Sequence, residues 1–256
     1  MTESKTFLDK KAYYFSRFSL QHKKSLHKLH EGRILGLQKT DGVWHHESKP
    51  WRNVSEHSLI AGVMAYQFGV LLQISQPQLD DIINHALTHD WSKRLEKEAA
   101  QTGKVTEDHE QKRITIDSPE KELQDEMKEK EGSGAIRVTG IDWRDFNSWG
   151  IEEKILRYID SSIGETPNKQ ATIVPWSERI DVLAQTHPII NKEVGETLYG
   201  MPLYDKLKEI TGIIERDLHG QILSLHPEFV TSYPAPGDLL QLISNQIKKE
   251  IENTLP

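Results

Sequence analysis

Cysteine is absent from all 256 residues of the chain. Disulfide bonds, thiolate metal sites and a cysteine nucleophile are therefore excluded, and the composition fits a reducing compartment. The N-terminal segment lacks the apolar run of a signal peptide, and no apolar stretch approaches the roughly 20 residues of a membrane span. We therefore expect a cytoplasmic protein without a membrane segment.

Positive charge is scarce relative to negative charge. The chain carries 32 Lys and Arg against 39 Asp and Glu, a formal net charge of -7, and no basic block stands out. This balance argues against general nucleic-acid binding, which needs a basic surface facing phosphates. Hydrophobic residues make up only 36% of the chain, and much of that deficit lies between residues 93 and 131.

Helical periodicity dominates the remainder of the chain. Apolar residues recur at near-helical spacing, which predicts an all-α fold. Pro77 suits the first turn of one helix, and Pro188 is expected to interrupt another. Residues 39–52 are predicted as a loop with a turn at Asp41-Gly42. The predicted helices cover residues 7–31, 53–72, 77–90, 151–163, 176–199, 203–225 and 238–253.

These patterns divide the chain into an N-terminal helix and loop packed on the core (1–50), a main domain (51–200) and a C-terminal helical extension of the same domain (201–256). The main domain contains a charged insertion at about residues 93–140. We expect a solvated excursion with one charged helix at about 118–130; a lid over the functional site is the alternative. Strand-like alternation is weak everywhere, and residues 136–138 are its best candidate.

Four side chains on three predicted helices are candidates for one metal site: His57, the adjacent pair His89-Asp90, and Asp160. Two imidazoles with two carboxylates suit a borderline to hard divalent cation, namely Mn, Fe, Co, Zn or Mg. Such an ion could activate water against a phosphate ester. Taken singly, each of these residues is more commonly an ordinary core or surface residue.

The local sequence around these residues resembles the HD-domain superfamily of metal-dependent phosphohydrolases, whose motifs follow the order His, His-Asp, Asp on successive helices. The resemblance covers roughly residues 50–95 and 150–185. The run around His57 particularly resembles the 5′-deoxynucleotidase branch, although Lys93 stands where that branch carries a catalytic Glu. The matching segments are Asn53-Val-Ser-Glu-His57-Ser-Leu, Ala86-Leu-Thr-His89-Asp90 and Tyr158-Ile-Asp160.

The resemblance implies an HD-domain-like helical bundle in which His57, His89, Asp90 and Asp160 bind a divalent metal ion. It makes the main domain the catalytic domain. Water activated on the ion would attack the phosphorus of a nucleotide or another small phosphorylated metabolite. Asp90 would then take the proton.

Basic residues near these motifs are candidates for holding the substrate phosphate. Lys93 lies one turn beyond His89 and is predicted to act in catalysis and in phosphate binding. Arg94 follows it. Arg52 stands at the start of the first motif helix, where backbone N–H groups favour anions, and Arg179 lies on the helix after Asp160. For each of these residues, a surface or packing role is the alternative.

Three further residues are considered for roles at the metal site. Glu56 either orients a metal ligand or satisfies the helix dipole. His85 is expected to be a packed or hydrogen-bonded histidine, since Ala86 stands where a metalloprotease motif needs Glu. His109 is a surface histidine or an additional iron ligand, as in those HD proteins that hold two irons with two extra histidines.

Two alternative functions remain open at this stage. An iron-dependent oxygenase on the same scaffold would need two ions and further histidine ligands. A non-catalytic module that binds metal or nucleotide is the second alternative. In every case, we expect a small-molecule partner, no general nucleic-acid binding, no membrane and a possible homodimer.

Overall fold

The fold is described by a computed structural model that covers residues 18, 22, 37–40, 43–46, 52–90, 105–108, 113–116, 143–167 and 170–254. Helix is its main secondary structure. The α-helices are α1 (Arg52–Leu71), α2 (Gln76–Thr88), α3 (Ile151–Ser161), α4 (Trp176–Thr186), α5 (Gly195–Tyr199), α6 (Leu203–Leu225) and α7 (Leu239–Thr254). Short helical turns lie at Phe146–Ser148, Ile190–Val194, Pro227–Phe229 and Pro236–Asp238.

The expectation of a mainly helical fold is confirmed for the part of the chain that the structure describes. The helices expected at 53–72, 77–90, 151–163 and 203–225 begin and end within about two residues of α1, α2, α3 and α6, which is the usual uncertainty of helix ends. Pro188 does separate α4 from the next helical turn. The helices predicted at 7–31 and 118–130 and the strand at 136–138 fall outside the described residues, apart from Phe18 and His22.

Three short hairpins that the sequence did not indicate lie in the described part of this mainly helical chain. β1 (Leu37–Thr40) and β2 (Val43–His46) form an antiparallel hairpin, which corrects the loop predicted at 39–52. The Asp41-Gly42 pair lies between these strands, and such a dipeptide favours the tight turn that a two-residue hairpin needs. Each strand has only four residues, too few for alternation to stand out in the sequence.

A second hairpin lies inside the charged insertion, where only one helix was expected. β3 (Val105–Asp108) pairs with β4 (Arg113–Ile116). Both strands contain β-branched residues, whose side chains suit a pleated surface. A third hairpin follows α3 directly and consists of β5 (Ile163–Glu165) and β6 (Ala171–Ile173).

The most extensive helix contact in the described fold joins α1 to α2. A Cβ atom added at Gly62 would lie 2.7 Å from Leu87 Cδ2, and one added at Gly69 would lie 2.2 Å from Leu79 Cδ1. The two leucines therefore occupy the space that side chains on α1 would need. Since α1 and α2 are joined by a short turn, this packing brings the start of α1 beside the end of α2.

The remaining helices pack on the same core. Phe68 of α1 meets Tyr158 of α3 edge to face at 5.6 Å between ring centroids. Gln67 donates a hydrogen bond of 2.6 Å to Glu250 of α7. A buried stripe along α6 completes the core with Leu207, Ile210, Ile214, Leu218 and Ile222. Within the described part of the chain, none of the helices is both long and apolar enough to cross a membrane.

We predict that Gly62→Ala destabilises the fold although alanine favours helices. The added methyl group would lie 2.7 Å from Leu87 Cδ2, and Leu87 is fully buried, so its side chain has to shift within a packed core. Overpacking costs about 1–3 kcal/mol, which outweighs the roughly 0.5–1 kcal/mol gained in helix propensity. The free energy of unfolding, measured by urea denaturation, should fall by roughly 1–2 kcal/mol.

The matched control is Gly220→Ala in α6. A Cβ atom at Gly220 would meet nothing within 4 Å, so this variant should gain roughly 0.5–1 kcal/mol. A Gly62→Ala protein as stable as the wild type would show that α1 and α2 do not depend on this close contact.

Candidate functional site

The four side chains expected to bind metal lie together at one end of the α1–α2 pair. The Nε2 atoms of His57 and His89 are 3.0 Å apart. Asp160 Oδ1 lies 3.5 Å from His57 Nε2 and 3.6 Å from His89 Nε2. Asp90 Oδ2 lies 3.9 Å from His57 Nε2. The structure thus brings together residues from α1, the end of α2 and α3.

The position of each side chain follows from its helix. His57 lies in the second turn of α1 and faces α2, and Asp160 lies in the last turn of α3. His89 directly follows α2 and caps its C-terminal end. Its Nδ1–H donates to the Ala86 carbonyl at 2.7 Å. This hydrogen bond fixes the ring and leaves Nε2 to face His57. Metal-binding histidines are commonly oriented in this way by a hydrogen bond from the other ring nitrogen.

Three of these separations match those of donors around one ion, and the distance from Asp90 to His57 is slightly longer. Ligand atoms at 2.0–2.2 Å from a metal are about 2.8–3.6 Å apart in tetrahedral or octahedral geometry. One atom each from His57, His89 and Asp90 fall within 4.8 Å of one another. Asp160 is not in that trio, yet its Oδ1 is closer to both imidazoles than Asp90 is to His57. We therefore count Asp160 in the donor set.

The candidate metal site is partly enclosed, and charged groups of both signs lie close together in it. The side chain of His89 is 6% exposed and that of Asp160 is 30% exposed. Burial alone would lower the pKa of His89, but the Asp90 and Asp160 carboxylates raise the pKa to about 9. Burial would raise the pKa of Asp160, but hydrogen bonds from both histidines and the charge of Arg157 hold it well below its usual range. Without a metal, these carboxylates favour a proton on His89; a bound cation would replace that proton.

Arg157 also belongs to the site, although the sequence did not indicate it as a site residue. Its Nη1 donates to Asp160 Oδ2 at 3.3 Å, while Asp160 Oδ1 faces the histidines. The guanidinium is 4% exposed and lies over the Trp143 ring, 5.4 Å from its centroid. Trp143 in turn stacks on Tyr199 at 6.1 Å. An arginine three residues before a helical Asp is commonly a surface ion pair, so the sequence contained no distinguishing signal.

Glu56 is fully buried beside the candidate ligand His57. Its Oε2 accepts the backbone N–H of Ala171 at 3.0 Å. The carboxylate therefore attaches the β5–β6 hairpin to α1. Neither of the two roles considered from the sequence anticipated this contact, because its partner lies 115 residues further along the chain.

The other candidates divide into three groups. His85 contacts Glu152 of α3, which confirms the hydrogen-bonded histidine expected there. Arg179 lies on α4 with its Cδ close to Gly164 of β5 and its buried Nε unpartnered within the described residues. Its described contacts do not reach the histidine pair. Arg52 is the first residue of α1, and its side chain is outside the description, as are Lys93, Arg94 and His109.

No protein-family model, curated protein or solved structure matches the chain. The functional assignment therefore depends on the geometry of the site and on the order of its residues.

We predict that Arg157 and Asp160 are energetically coupled. Arg157→Met leaves Asp160 Oδ2 without its cationic donor, and a charge-assisted hydrogen bond contributes roughly 1.5–3 kcal/mol. A double-mutant cycle with Asp160→Asn, measured by urea denaturation, should give a coupling energy of about 1 kcal/mol or more. Additive effects within about 0.3–0.5 kcal/mol would contradict the contact.

Proposed function

We propose that this protein is an HD-domain-like, metal-dependent phosphohydrolase that acts on a nucleotide or another small phosphorylated metabolite. The observation that carries the proposal is the meeting of two imidazole Nε2 atoms at 3.0 Å with the Asp160 carboxylate beside both. The order His57, His89-Asp90, Asp160 along α1, α2 and α3 supports the HD-like assignment.

The donor set fits a divalent cation. His57, His89, Asp90 and Asp160 would hold it, and mixed nitrogen and oxygen donors suit Mn, Fe, Co, Zn or Mg. The bound ion would supply a water of lowered pKa and stabilise negative charge on the phosphoryl oxygens. His89 is already oriented for this role, because its Nδ1–H is bonded to the Ala86 carbonyl.

The surrounding residues have distinct parts in the proposal. Asp90 accepts the proton released during hydrolysis, since its carboxylate lies at the site and its side chain is 19% exposed. Arg157 positions Asp160 by holding one carboxylate oxygen. Lys93 and Arg94 follow Asp90 closely in the chain and Arg52 begins α1; we assign them to the substrate phosphate on that basis. Arg179 is a weaker candidate, because its described contacts lie at β5.

The metal site is tested by direct binding. Metal-stripped protein should take up a single tightly bound divalent ion, detected by equilibrium dialysis with elemental analysis. His57→Gln should weaken binding by at least about 10–100-fold, the range known for altered metal sites. His187→Gln is the matched control, because His187 is exposed and should bind metal as the wild type does. If the His57→Gln protein bound metal as tightly as the wild type, the proposed metal site would be contradicted.

The hydrolase is tested by phosphate release. Metal-stripped protein is supplied with Mn, Co, Mg or Fe and a panel of nucleotides and sugar phosphates. We expect release that requires metal and falls by about 10²–10⁴-fold in Asp90→Asn, the usual contribution of acid–base catalysis. Asp81→Asn is the matched control on α2, since Asp81 is exposed.

The other outcomes point to the alternatives. Iron-dependent oxygen uptake with two ions per chain would favour the oxygenase. Metal-dependent ligand binding without turnover on the whole panel would favour a binding module. Release that persists in a fully metallated Asp90→Asn protein would contradict the proposed role of Asp90.

A further inference from the structure

A cavity of about 470 Å³ lies where α4, α6 and the turn Pro236–Asp238 meet. This volume is in the range of small-molecule sites. The lining residues that bear on its chemistry are Trp176, Lys208, Gly212, Glu215, Arg216 and Pro236. Glu209 also lines the cavity and is paired with Lys206 at 2.9 Å. The cavity thus combines an aromatic ring, two cations and two carboxylates.

Glu215 is an acidic residue in the cavity wall, and only 8% of its surface is exposed. Its Oε1 accepts hydrogen bonds from the Tyr158 hydroxyl at 3.0 Å and from Trp176 Nε1 at 2.9 Å. The two donors fix the carboxylate in one orientation. Both of these bonds use Oε1, and Oε2 accepts none of the hydrogen bonds that the structure describes. Burial raises the pKa of Glu215, so a further donor to its carboxylate would be favourable.

Gly212 leaves the floor of the cavity open. A Cβ atom at this position would lie 3.7 Å from Arg216 Nη1 and 3.8 Å from Trp176 Cη2. The guanidinium and the edge of the indole therefore flank the same space above the helix backbone. Arg216 is exposed and forms no salt bridge within the part of the chain that the structure describes. Lys208 is paired with Asp181 at 2.5 Å.

The cavity is distinct from the histidine pair. Tyr158 and Asp160 are two residues apart on α3, which places them about 200° apart around the helix. Tyr158 faces α6 through Glu215, whereas Asp160 faces His57 and His89. A ligand in the cavity would therefore occupy the opposite side of α3 from the proposed metal site.

We propose that this cavity binds a small ligand that joins a planar ring bearing N–H donors to an anionic group, the chemistry of an amino-substituted purine nucleotide. The ring packs on Trp176 above Gly212, and its N–H groups donate to Glu215 Oε2. The anionic group is held by Arg216 and Lys208 at the rim. The site needs no metal and does not depend on the proposed hydrolase.

The test uses the full chain labelled with 5-fluorotryptophan, stripped of metal and kept in chelator. The Trp176 resonance is assigned by its loss in Trp176→Phe, and guanosine 5′-monophosphate is titrated. We expect a saturable shift of that resonance. Affinity should fall at least about tenfold for inosine 5′-monophosphate, which lacks the exocyclic amino group, and for guanosine, which lacks the phosphate.

Gly212→Leu fills the cavity floor and should abolish the shift while the thermal unfolding temperature stays unchanged. Gly220→Leu is the matched control on the same helix and should bind as the wild type does, because nothing lies within 4 Å of that position. Asp90→Asn should also bind normally, which separates this site from the proposed active site. No shift at millimolar nucleotide, equal binding by Gly212→Leu, or lost binding by Asp90→Asn would overturn the proposal.

Discussion

The close contact between α1 and α2 is the constraint on which the candidate site depends. Gly62 and Gly69 present no side chains to α2, so Leu87 and Leu79 pack directly against the α1 backbone. His57 lies five residues before Gly62, and His89 lies two residues after Leu87. Since protein interiors are close-packed, a methyl group between the helices would push them apart. The 3.0 Å separation of the imidazoles leaves little room for such a shift.

Charge balance is the second requirement, because the four side chains are partly removed from water. Two carboxylates face two imidazoles, and Arg157 holds the outer oxygen of Asp160. A buried charge without a partner is far more costly than a paired one. The group is therefore stable either with a proton on His89, whose pKa the carboxylates raise, or with a cation in place of that proton. This is the behaviour expected of residues that bind metal in competition with protons.

Part of this arrangement could be predicted from the sequence. The helices around His57, His89 and Asp160 are long and periodic, so their type and approximate ends were evident. The convergence of the four side chains was expected from the resemblance to the HD-domain motifs, and their types and spacing alone did not establish it. Arg157 could not be recognised, because its role comes from the Trp143 ring beneath it and from the burial of α3. The bond from Ala171 to Glu56 joins residues too distant in sequence for any local pattern to show it.

The hairpins were missed for a different reason. Strands of three or four residues are too short for alternation to differ from chance, and their pairing is decided by what they pack against. The β5–β6 hairpin illustrates this point. Ile163 and Ala171 are buried, and Glu56 binds the Ala171 N–H, so α1 stabilises the hairpin more than its own composition does.

Helix α3 connects the two regions to which we assign chemistry. Asp160 faces the histidine pair from one side of this helix, and Tyr158 binds Glu215 on the other side. Tyr158 also packs on Phe68 of α1, so the helix is held against the element that carries His57. A ligand can influence the distant site only if it binds two arrangements of the protein with different affinity. Tyr158 is fully buried and bonded to Glu215, and it lies two residues before Asp160, so α3 is the shortest connection along the chain between the two regions.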